Sequence, residues 1–550
     1  MLTRREMIRY GMLSAPAVAI LDTLDRKTLL WAEGENPRSP QLTPFKDELP
    51  IPAAHIPTTA FTNEVECEIL EDHTFGDEAP RTKHQKFADF QTARTANNVD
   101  LIEMHESEQP HQFHADAGPS LIWGYDGVFP GPTLHLKYGR PACVRIFNNL
   151  PANHVGFGLP STSTHLHNLH TPSESDGFPG DFVDSGFWKD NIYPMTLAGN
   201  DSAETLNFLW YHDHRQDFTA ANVYKGLAGT AFLFDEFDSN DERDANPAAF
   251  HLPSGDFDVP LVLLDPILDP NHQTFFDPFN FNGHIGDLFT VNGKVQPKFS
   301  VFRRKYRFRV LNIGPSRFYQ VSFSNKMPFQ QISTDGNLLP APITVNNLLL
   351  SVAERADIIV DFSKFNKGDQ LFLMNTLEQV DGRGPTGKQL TPGIPLMRFD
   401  VIGDPVDPDL SQVPSTMRAL PKIDLSKVSA RRRFEFNRGN GMWTINGQVY
   451  SGTDERVKIP QGSAEIWTLK NGGGGWSHPI HIHFEEFQIL SRNGGPPLLQ
   501  ERGRKDVARL GPGDEVEIFM QFRDFVGQYV MHCHNVVHED HAMMIRFQIV

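Results

Sequence analysis

A chain of 550 residues is too long for a single hydrophobic core, so several domains are expected. Its formal net charge of −18 disfavours nucleic acid and anionic membrane surfaces as partners, whereas cationic or neutral organic molecules and metal cations stay compatible with it. Long amphipathic helical patterns are scarce, and the 43 Gly and 41 Pro divide the chain into short segments, which favours an all-β fold.

Residues 1–32 have the pattern of an export signal. Arg4 and Arg5 precede a short, weakly apolar run from Met12 to Ile20, as is typical of a twin-arginine signal, and the run is too short to span a bilayer. We therefore expect the twin-arginine export machinery as a partner, a periplasmic or secreted location and no membrane span. An ordinary basic N-terminus is the alternative.

Residues 42–240 form the first predicted domain. Short alternating segments such as ACVRIFNNL, bounded by turn residues, are typical of antiparallel strands in β-sandwiches. Two H-x-H pairs lie in this domain, His165 with His167 and His212 with His214. Because successive side chains of a strand alternate faces, each pair is expected to place both rings on one face.

Two cysteines also lie in strand-like segments of the first domain. Cys67 and Cys143 either pair in an oxidising compartment or stay buried thiols. Geometry decides between these alternatives, and the sequence does not contain it.

Residues 250–405 form the second predicted domain. Strand patterns such as YRFRVLNIG and RADIIVDF recur in it, but it contains no H-x-H pair. We therefore expect it to bridge the outer domains and to wall the substrate site. The Pro-rich stretch 402–428 is predicted to be an extended linker on the surface.

The third predicted domain, residues 429–550, adds His478, His481, His483, His532, Cys533, His534, His538 and Met543. On a strand, the Cys533 thiolate would point to one face and both flanking histidines to the other. His478 has the opposite parity to His481, and it can turn toward the face of Cys533.

These side chains are the ligand types that copper requires. Imidazole, thiolate and a long, weak thioether ligand together suit a metal that cycles between two oxidation states. One H-x-H pair is a weak signal, but four pairs supply eight imidazoles, enough for three copper ions beside the thiolate site. Half of the imidazoles come from each terminal domain, so these domains must dock. The remaining histidines of interest are expected in surface, loop or supporting positions: His105, His111, His114, His135, His154, His170 and His541.

Five segments carry a family resemblance. They are WGYDGVFPGPT (123–133), HLHNLHTPSESDGFP (165–179), WYHDH (210–214), HPIHIHFEEFQIL (478–490) and HCHNVVHEDHAMM (532–544). The chain resembles the multicopper oxidases from about residue 42 to residue 550, and within them the group of bacterial spore-coat laccase, bilirubin oxidase and phenoxazinone synthase. The resemblance implies an all-β fold of three cupredoxin-like Greek-key β-sandwiches, with a metal cluster between the first and the third.

The resemblance also implies four copper ions with definite ligands. One type 1 copper would be held by His478, Cys533 and His538, with Met543 axial. One type 2 copper would be held by His165 and His481. Two type 3 coppers would be held by His167, His212, His214, His483, His532 and His534.

The implied activity is that of a laccase-like oxidase. It would couple one-electron oxidation of phenolic, aminophenolic or tetrapyrrole-type reductants to the four-electron reduction of dioxygen to water. Electrons would be accepted at an exposed ring edge of His478, and the axial Met implies a low-to-middle reduction potential. A metal-ion oxidase acting on cuprous, ferrous or manganous ions is the alternative, although 14 Met without a dense run disfavour the cuprous case. A copper-free envelope protein of the same fold is a third possibility, disfavoured because every ligand type is present.

Two acidic residues match positions that flank the cluster in this family. Asp176 and Glu539 are expected to relay protons to dioxygen, with a carboxyl kept partly protonated by burial. The alternative is that they orient the ligand imidazoles through hydrogen bonds.

Overall fold

A computed structural model of the chain describes residues 36–61, 98–439, 441–453 and 455–550. Three successive pairs of β-sheets organise these residues, and we call them the first, middle and third domains. The predicted all-β architecture of three sandwiches is confirmed. The predicted signal segment 1–32 and Cys67 lie outside the described residues. Within the described ranges, every helix is too short or too polar to cross a membrane.

The first domain carries two of the four H-x-H pairs on neighbouring strands. Its strands are β1 (Asp100–His111), β2 (Ser120–Tyr125), β3 (Gly131–Lys137), β4 (Ala142–Asn148), β5 (Ser161–Thr162), β6 (Thr164–Leu166), β7 (Val183–Asp184), β8 (Trp188–Tyr193), β9 (Phe208–Asp213) and β10 (Ala228–Phe234), with helix α1 (Thr219–Lys225). The sheet orders are β2-β1-β4-β8 and β3-β10-β9-β6, and β5 pairs with β7.

The middle domain consists of one seven-stranded and one five-stranded sheet. Its strands are β11 (Asp258–Leu264), β12 (Thr290–Val291), β13 (Lys294–Val295), β14 (Lys298–Phe302), β15 (Lys305–Asn312), β16 (Tyr319–Phe323), β17 (Phe329–Thr334), β18 (Asn337–Val345), β19 (Leu348–Leu350), β20 (Arg355–Asp361), β21 (Gln370–Leu377) and β22 (Gln389–Gly403). The orders are β13-β12-β11-β15-β20-β17-β18 and β14-β22-β21-β16-β19.

The third domain has a six-stranded and a five-stranded sheet. Its strands are β23 (Val428–Gly439), β24 (Met442–Ile445), β25 (Glu455–Ile459), β26 (Ser463–Asn471), β27 (His478–Ile482), β28 (Phe487–Arg492), β29 (Arg504–Lys505), β30 (Val507–Leu510), β31 (Glu515–Phe522), β32 (Gly527–Cys533) and β33 (Met544–Ile549), with helix α2 (Val536–Asp540). The orders are β24-β23-β26-β31-β28-β29 and β25-β33-β32-β27-β30.

The sheets are mixed, although the alternating patterns predicted antiparallel strands. Each domain contains two parallel pairings, such as β1 with β4, β11 with β15 and β23 with β26. Alternation of apolar side chains reports which face of a strand is buried. It does not report the direction of the neighbouring strand, and this is why the expectation was incomplete.

A buried apolar cluster joins all three domains. Besides one core inside each sandwich, it gathers side chains from the inner faces of the sheets and from both helices: Phe208, Trp210, Val223, Leu264, Leu311, Val507, Val536 and Val537. Because burying apolar surface is the main stabilising contribution in folding, this cluster fixes the outer domains against each other. The histidine motifs lie beside it.

Candidate metal centre

Strand pairing places the histidines directly opposite one another within each outer domain. On β6 and β9, His165 is the cross-strand partner of His212, and on β27 and β32, His481 is the partner of His532. Across the domain interface, His214 Nε2 lies 3.2 Å from the Nε2 atoms of both His483 and His532. The two ends of the chain therefore meet at the histidines, as the sequence predicted.

All eight imidazoles predicted for the trinuclear centre are gathered into compact groups. In each group the candidate ligand atoms lie within 4.8 Å of one another. The groups are His165, His167 and His481; His167, His212 and His534; and His214, His483 and His532. The first group joins the two predicted type 2 ligands, and the other two divide the six predicted type 3 ligands.

Imidazole nitrogens of the first two groups lack hydrogen-bond partners in the described chain. His165 Nε2, His481 Nε2, His167 Nδ1 and His212 Nε2 are buried without a partner in the described chain, as are both ring nitrogens of His534. Buried polar atoms in folded proteins are nearly always paired, so this concentration of unpaired lone pairs is unusual. Neutral imidazole lone pairs converging on shared points are what a transition metal binds. The residues therefore fit copper.

Burial keeps these imidazoles in the neutral form that metals bind. Desolvation, reinforced by the neighbouring histidines, lowers the pKa of His212 to about 3 and that of His214 to about 4. The same causes hold the pKa values of His165 and His481 well below the usual range. The site is thus ready for a cation at neutral pH without first losing protons.

Three acidic residues orient the histidines, and each one joins a histidine of the first domain to a histidine of the third. Asp176 accepts from His165 Nδ1 through its backbone carbonyl and from His483 Nδ1 through Oδ2, at 2.7 Å. Glu539 Oε1 lies 3.3 Å from His214 Nδ1, and its Oε2 lies 2.9 Å from His532 Nδ1.

The third acidic residue is Asp506. Its carboxylate accepts from His167 Nε2 at 3.2 Å, and its backbone carbonyl accepts from His481 Nδ1 at 2.8 Å. Such contacts fix the tautomer and the ring orientation of metal-binding histidines.

The two acidic residues predicted to relay protons have opposite ionisation tendencies. Burial raises the pKa of Asp176 well above its usual range, and its Oδ1 has no hydrogen-bond partner in the described chain. Burial also raises the pKa of Glu539, but His532, His214 and the Thr219 hydroxyl outweigh this effect and lower it to about 2. The expectation of a partly protonated carboxyl thus agrees with the shift at Asp176 and disagrees with the shift at Glu539.

A second compact site contains sulfur. Cys533 Sγ lies 3.5 Å from His478 Nδ1 and 3.6 Å from His538 Nδ1, and the two Nδ1 atoms are 3.2 Å apart. The backbone of Met543 accepts from Cys533 N–H and donates to the His538 carbonyl. Burial raises the pKa of the Cys533 thiol well above its usual range, so metal binding must displace a proton from it.

The expectation that His478 has a solvent-exposed ring edge is wrong. His478 is 1% exposed and His538 is 0% exposed. Trp443 covers both, with ring centroids 3.9 Å from His538 and 5.4 Å from His478. The distances between ring centroids place Trp476 next in line, 5.2 Å from Trp443, and Trp476 is only half-buried. Two adjacent indole rings thus lie between the buried sulfur site and a partly exposed side chain.

Loops of the middle domain line the sulfur site. His538 Nε2–H donates to the Asn282 carbonyl at 3.1 Å, and Asn535 donates to the Gly382 carbonyl at 3.1 Å. The Trp476 indole N–H donates to Asn282 Oδ1. Loops of the middle domain therefore cover this site, but the middle domain contributes no candidate ligand from a histidine motif.

Sequence reasoning missed several residues of the centre. Asp506, Trp443 and Thr219 lie in segments without a recognisable motif, and only the tertiary structure shows their contacts. The lone histidines lie outside the ligand groups of the described chain, as expected. One example is His170, which pairs with Asp524 at 2.9 Å.

Comparisons with known proteins agree along most of the chain. Profiles described as multicopper oxidase match residues 108–236, 268–389 and 422–550. The chain is 36% identical over 451 residues to a bilirubin oxidase of Albifimbria verrucaria, covering 80% of this chain and 74% of that protein. It is 31% identical over 505 residues to a laccase of Bacillus subtilis (strain 168), covering 80% of this chain and 93% of that protein.

A solved structure shows the same fold. The laccase from Pediococcus acidilactici superimposes with a TM-score of 0.74 at 22% identity, and the match covers 94% of this chain and 97% of that one. Three matching profiles, relatives above 30% identity and the histidine groups lead to one assignment. The chain belongs to the multicopper oxidase family and is a copper-dependent oxidoreductase with dioxygen as its acceptor.

Proposed function

We propose that this protein is a four-copper, laccase-like oxidase that oxidises aromatic reductants and reduces dioxygen to water. The observation that carries this proposal is the gathering of eight buried imidazoles into three groups, two of which contain candidate ligand nitrogens without a hydrogen-bond partner in the described chain, next to a separate Cys and His site. Copper bound at these residues supplies one-electron transfer and the reduction of dioxygen.

The proposed ligand sets follow the groups. His478, Cys533, His538 and Met543 would hold the type 1 copper. His165 and His481 would hold the type 2 copper. His167, His212, His214, His483, His532 and His534 would hold the type 3 pair. All of these residues are at most 1% exposed, so the protein excludes bulk water from both sites.

The chain itself links the two sites covalently. Cys533 is joined by single peptide bonds to His532 and His534, whose rings lie on the trinuclear side. Electrons from the reductant thus have a short bonded route, and the Met543 thioether favours a low-to-middle reduction potential.

Protons for dioxygen are proposed to be held by Asp176 and positioned by Glu539. Asp176 can hold a proton at Oδ1, which has no hydrogen-bond partner in the described chain. Glu539 is kept ionised by His532, His214 and Thr219, and its carboxylate would hold the His532 and His214 rings in place while protons pass. Asp176 also orients ligand rings, so it combines the two roles.

The surroundings of Trp476 favour an aromatic, neutral or anionic reductant. The guanidinium of Arg383 lies 5.0 Å from the Trp476 ring centroid, and that of Arg438 lies 5.5 Å from it. Arg438 has no carboxylate partner among the described residues, although Arg383 lies 3.8 Å from Asp381. An indole with two cations beside it suits stacking and charge pairing with an aromatic acid.

The same surroundings disfavour the metal-ion oxidase. A cationic substrate would need carboxylate or thioether groups at the point of electron transfer, whereas here two arginines flank the indole. The whole chain carries a net negative charge, which does not indicate that the two arginines place positive charge beside Trp476.

Turnover measurements test the proposal. Copper-loaded protein should consume oxygen with a phenol, an aminophenol and bilirubin faster than with cuprous, ferrous or manganous ions. Arg438→Gln should lower kcat/KM about tenfold for an anionic aromatic and less for a neutral phenol, because one charge-assisted contact is lost. Arg433→Gln is the matched control on the same strand, since Arg433 pairs with Glu515 on the surface. Faster turnover with metal ions would reject the aromatic reductant.

Location is proposed from sequence only. The paired Arg4 and Arg5 support twin-arginine export to the periplasm or beyond. Fusing residues 1–32 to a reporter that is active only after folded export tests this, with Arg4→Lys and Arg5→Lys as the control; no export would reject it.

A further inference from the structure

A buried ion pair connects the middle domain to the histidine cluster. Arg355, the first residue of β20, donates from Nη1 to Asp506 Oδ1 at 2.8 Å, and its Nη2 lies 2.8 Å from Oδ2. Asp506 in turn holds His167 through Oδ1 and His481 through its backbone carbonyl. An arginine of the middle domain is therefore one residue away from candidate ligands of both outer domains.

Arg355 is also fixed by backbone groups. Its Nε donates to the Phe208 carbonyl at the start of β9, the strand that carries His212, and its Nη2 donates to the Asp335 carbonyl at 2.9 Å. The side chains of both Arg355 and Asp506 are 0% exposed. The guanidinium thus touches all three domains at one point.

This geometry restricts how the Asp506 carboxylate can move. Arg355 Nη1 donates a hydrogen bond to Oδ1, and the cationic Nη2 lies close to Oδ2, so the guanidinium fixes the position of Oδ1 and supplies the counter-charge of the carboxylate. The Oδ1 atom that receives the Arg355 bond is also the atom that receives the His167 Nε2–H. If Arg355 were removed, a buried carboxylate would lose its counter-charge and could rotate away from the ring.

We propose that Arg355 is a positioning residue for the trinuclear centre, acting through Asp506 on His167 and His481. The middle domain would then set the orientation of ligands that it does not itself supply. The inference rests on the proposed function, because it takes the histidines to be copper ligands.

The decisive comparison uses matched arginine variants of the full-length, copper-loaded protein. Arg355→Met removes the hydrogen bond and the charge, and Arg355→Lys keeps the charge but loses the planar guanidinium with its several fixed donors. Arg309→Lys is the control, because Arg309 lies on the neighbouring strand β15, is fully buried, pairs through two bonds with Asp258 and also donates to the first domain at the Asn207 carbonyl. It makes no contact with the histidine groups in the described chain.

Copper content and spectra distinguish a positioning role from a merely structural one, because loss of a structural contact alone would leave both unchanged. Arg355→Met should lower the copper affinity of the trinuclear centre about ten- to hundredfold and alter the type 2 electron paramagnetic resonance signal, while the type 1 absorption stays unchanged. Arg355→Lys should show a smaller change, and Arg309→Lys should show none even if its thermal stability falls.

A double-mutant cycle with Asp506→Asn tests the route of the effect. If Arg355 acts through Asp506, Arg355→Met should have little further effect on the type 2 signal in the Asp506→Asn background. Equal effects in both backgrounds, or a normal type 2 signal and copper content in Arg355→Met, would overturn the inference. If Arg355→Met does not fold, the Lys variant provides the same comparison. Wild-type protein without type 1 and type 2 signals would instead reject the proposed function.

Discussion

At the scale of single residues, the candidate histidine groups were predictable from sequence, because the spacing of residues on strands determines which side chains share a face. An H-x-H pair on a strand places both rings on one face. A cysteine between two histidines is predicted to point its sulfur to the other face of the same strand. Asp506 carries no such signal, since its role depends on which backbone and side-chain atoms meet after folding. The ring edge of His478 was misjudged for the same reason, because Trp443 covers it from a different strand.

Replacing Glu539 tests its role in proton delivery. Glu539→Gln should slow oxygen uptake about ten- to hundredfold, because the amide holds His214 and His532 less well. The blue type 1 absorption and its bleaching by substrate under anaerobic conditions should not change. Glu465→Gln is the control, as Glu465 is a buried glutamate of the same domain that pairs with Arg432. Unchanged oxygen uptake in Glu539→Gln would reject this role.

A second prediction concerns pH and a buried glutamate outside the metal centre. Burial raises the pKa of Glu106 to about 8, against 4.5 for an ordinary glutamate, despite hydrogen bonds from Thr162 and Thr164. The folded state holds this proton more tightly than the unfolded state, so its contribution to stability is complete below about pH 4.5 and is lost as the pH rises toward 8.

Glu106→Gln should therefore flatten the decline of the thermal midpoint between pH 5 and pH 8, because the amide imitates the protonated carboxyl. Differential scanning calorimetry across this range measures the effect. Glu108→Gln, at a partly exposed position of the same strand, is the control and should leave the slope unchanged. A slope identical to that of wild type in Glu106→Gln would contradict the prediction.

At the scale of elements, two short helices connect the outer domains beside the cluster. The first residues of α1 donate hydrogen bonds to carboxylates of α2. The Thr219 hydroxyl donates to Glu539 at 2.7 Å, and Ala220 N–H donates to Asp540 Oδ2 at 3.1 Å. The residue before α1 is Phe218, which provides no side-chain cap. The α1 helix is thus capped by the other end of the chain, and sequence patterns for local capping could not have indicated it.

Loss of this cap should weaken the contact between the outer domains. Asp540→Ala should destabilise the protein by about 1 kcal/mol, the usual cost of removing a helix cap, which corresponds to a fall of roughly 2–4 °C in the thermal midpoint. Asp424→Ala removes a comparable cap from an exposed turn before β23 and should have a smaller effect. Equal midpoints in Asp540→Ala and wild type would contradict this account.

At the scale of the whole molecule, the fold class and the docking of the outer domains were predictable, because each outer domain carries only half of the histidines expected to share a cluster. The direction of neighbouring strands was not, since alternation is the same in parallel and antiparallel sheets. The role of the middle domain was predictable only in outline. Its contacts depend on buried arginines whose partners lie in other domains, such as Arg355 of the middle domain with Asp506 of the third.

Copper should stabilise the assembled protein strongly. Because the sites exist only in the folded state, bound copper adds about 2.7 kcal/mol for a site at a free concentration a hundredfold above its Kd. Removing copper should therefore lower the thermal midpoint, and adding it back should restore it. Cys533→Ser, which lacks the proposed type 1 ligand, should keep most of the shift. Identical midpoints with and without copper would contradict ligation by residues of both outer domains.

Three acidic residues each join one histidine of the first domain to one of the third. The proposed trinuclear centre can therefore bind its metals only late in folding. His214 and His532 are 318 positions apart in sequence, and neither can be oriented until both sandwiches have formed and closed on each other. A polypeptide that is still being synthesised has only the histidines of the first domain, which are half of the candidate ligands of that centre. Complete copper loading of the proposed trinuclear centre therefore requires both outer domains to have folded and docked.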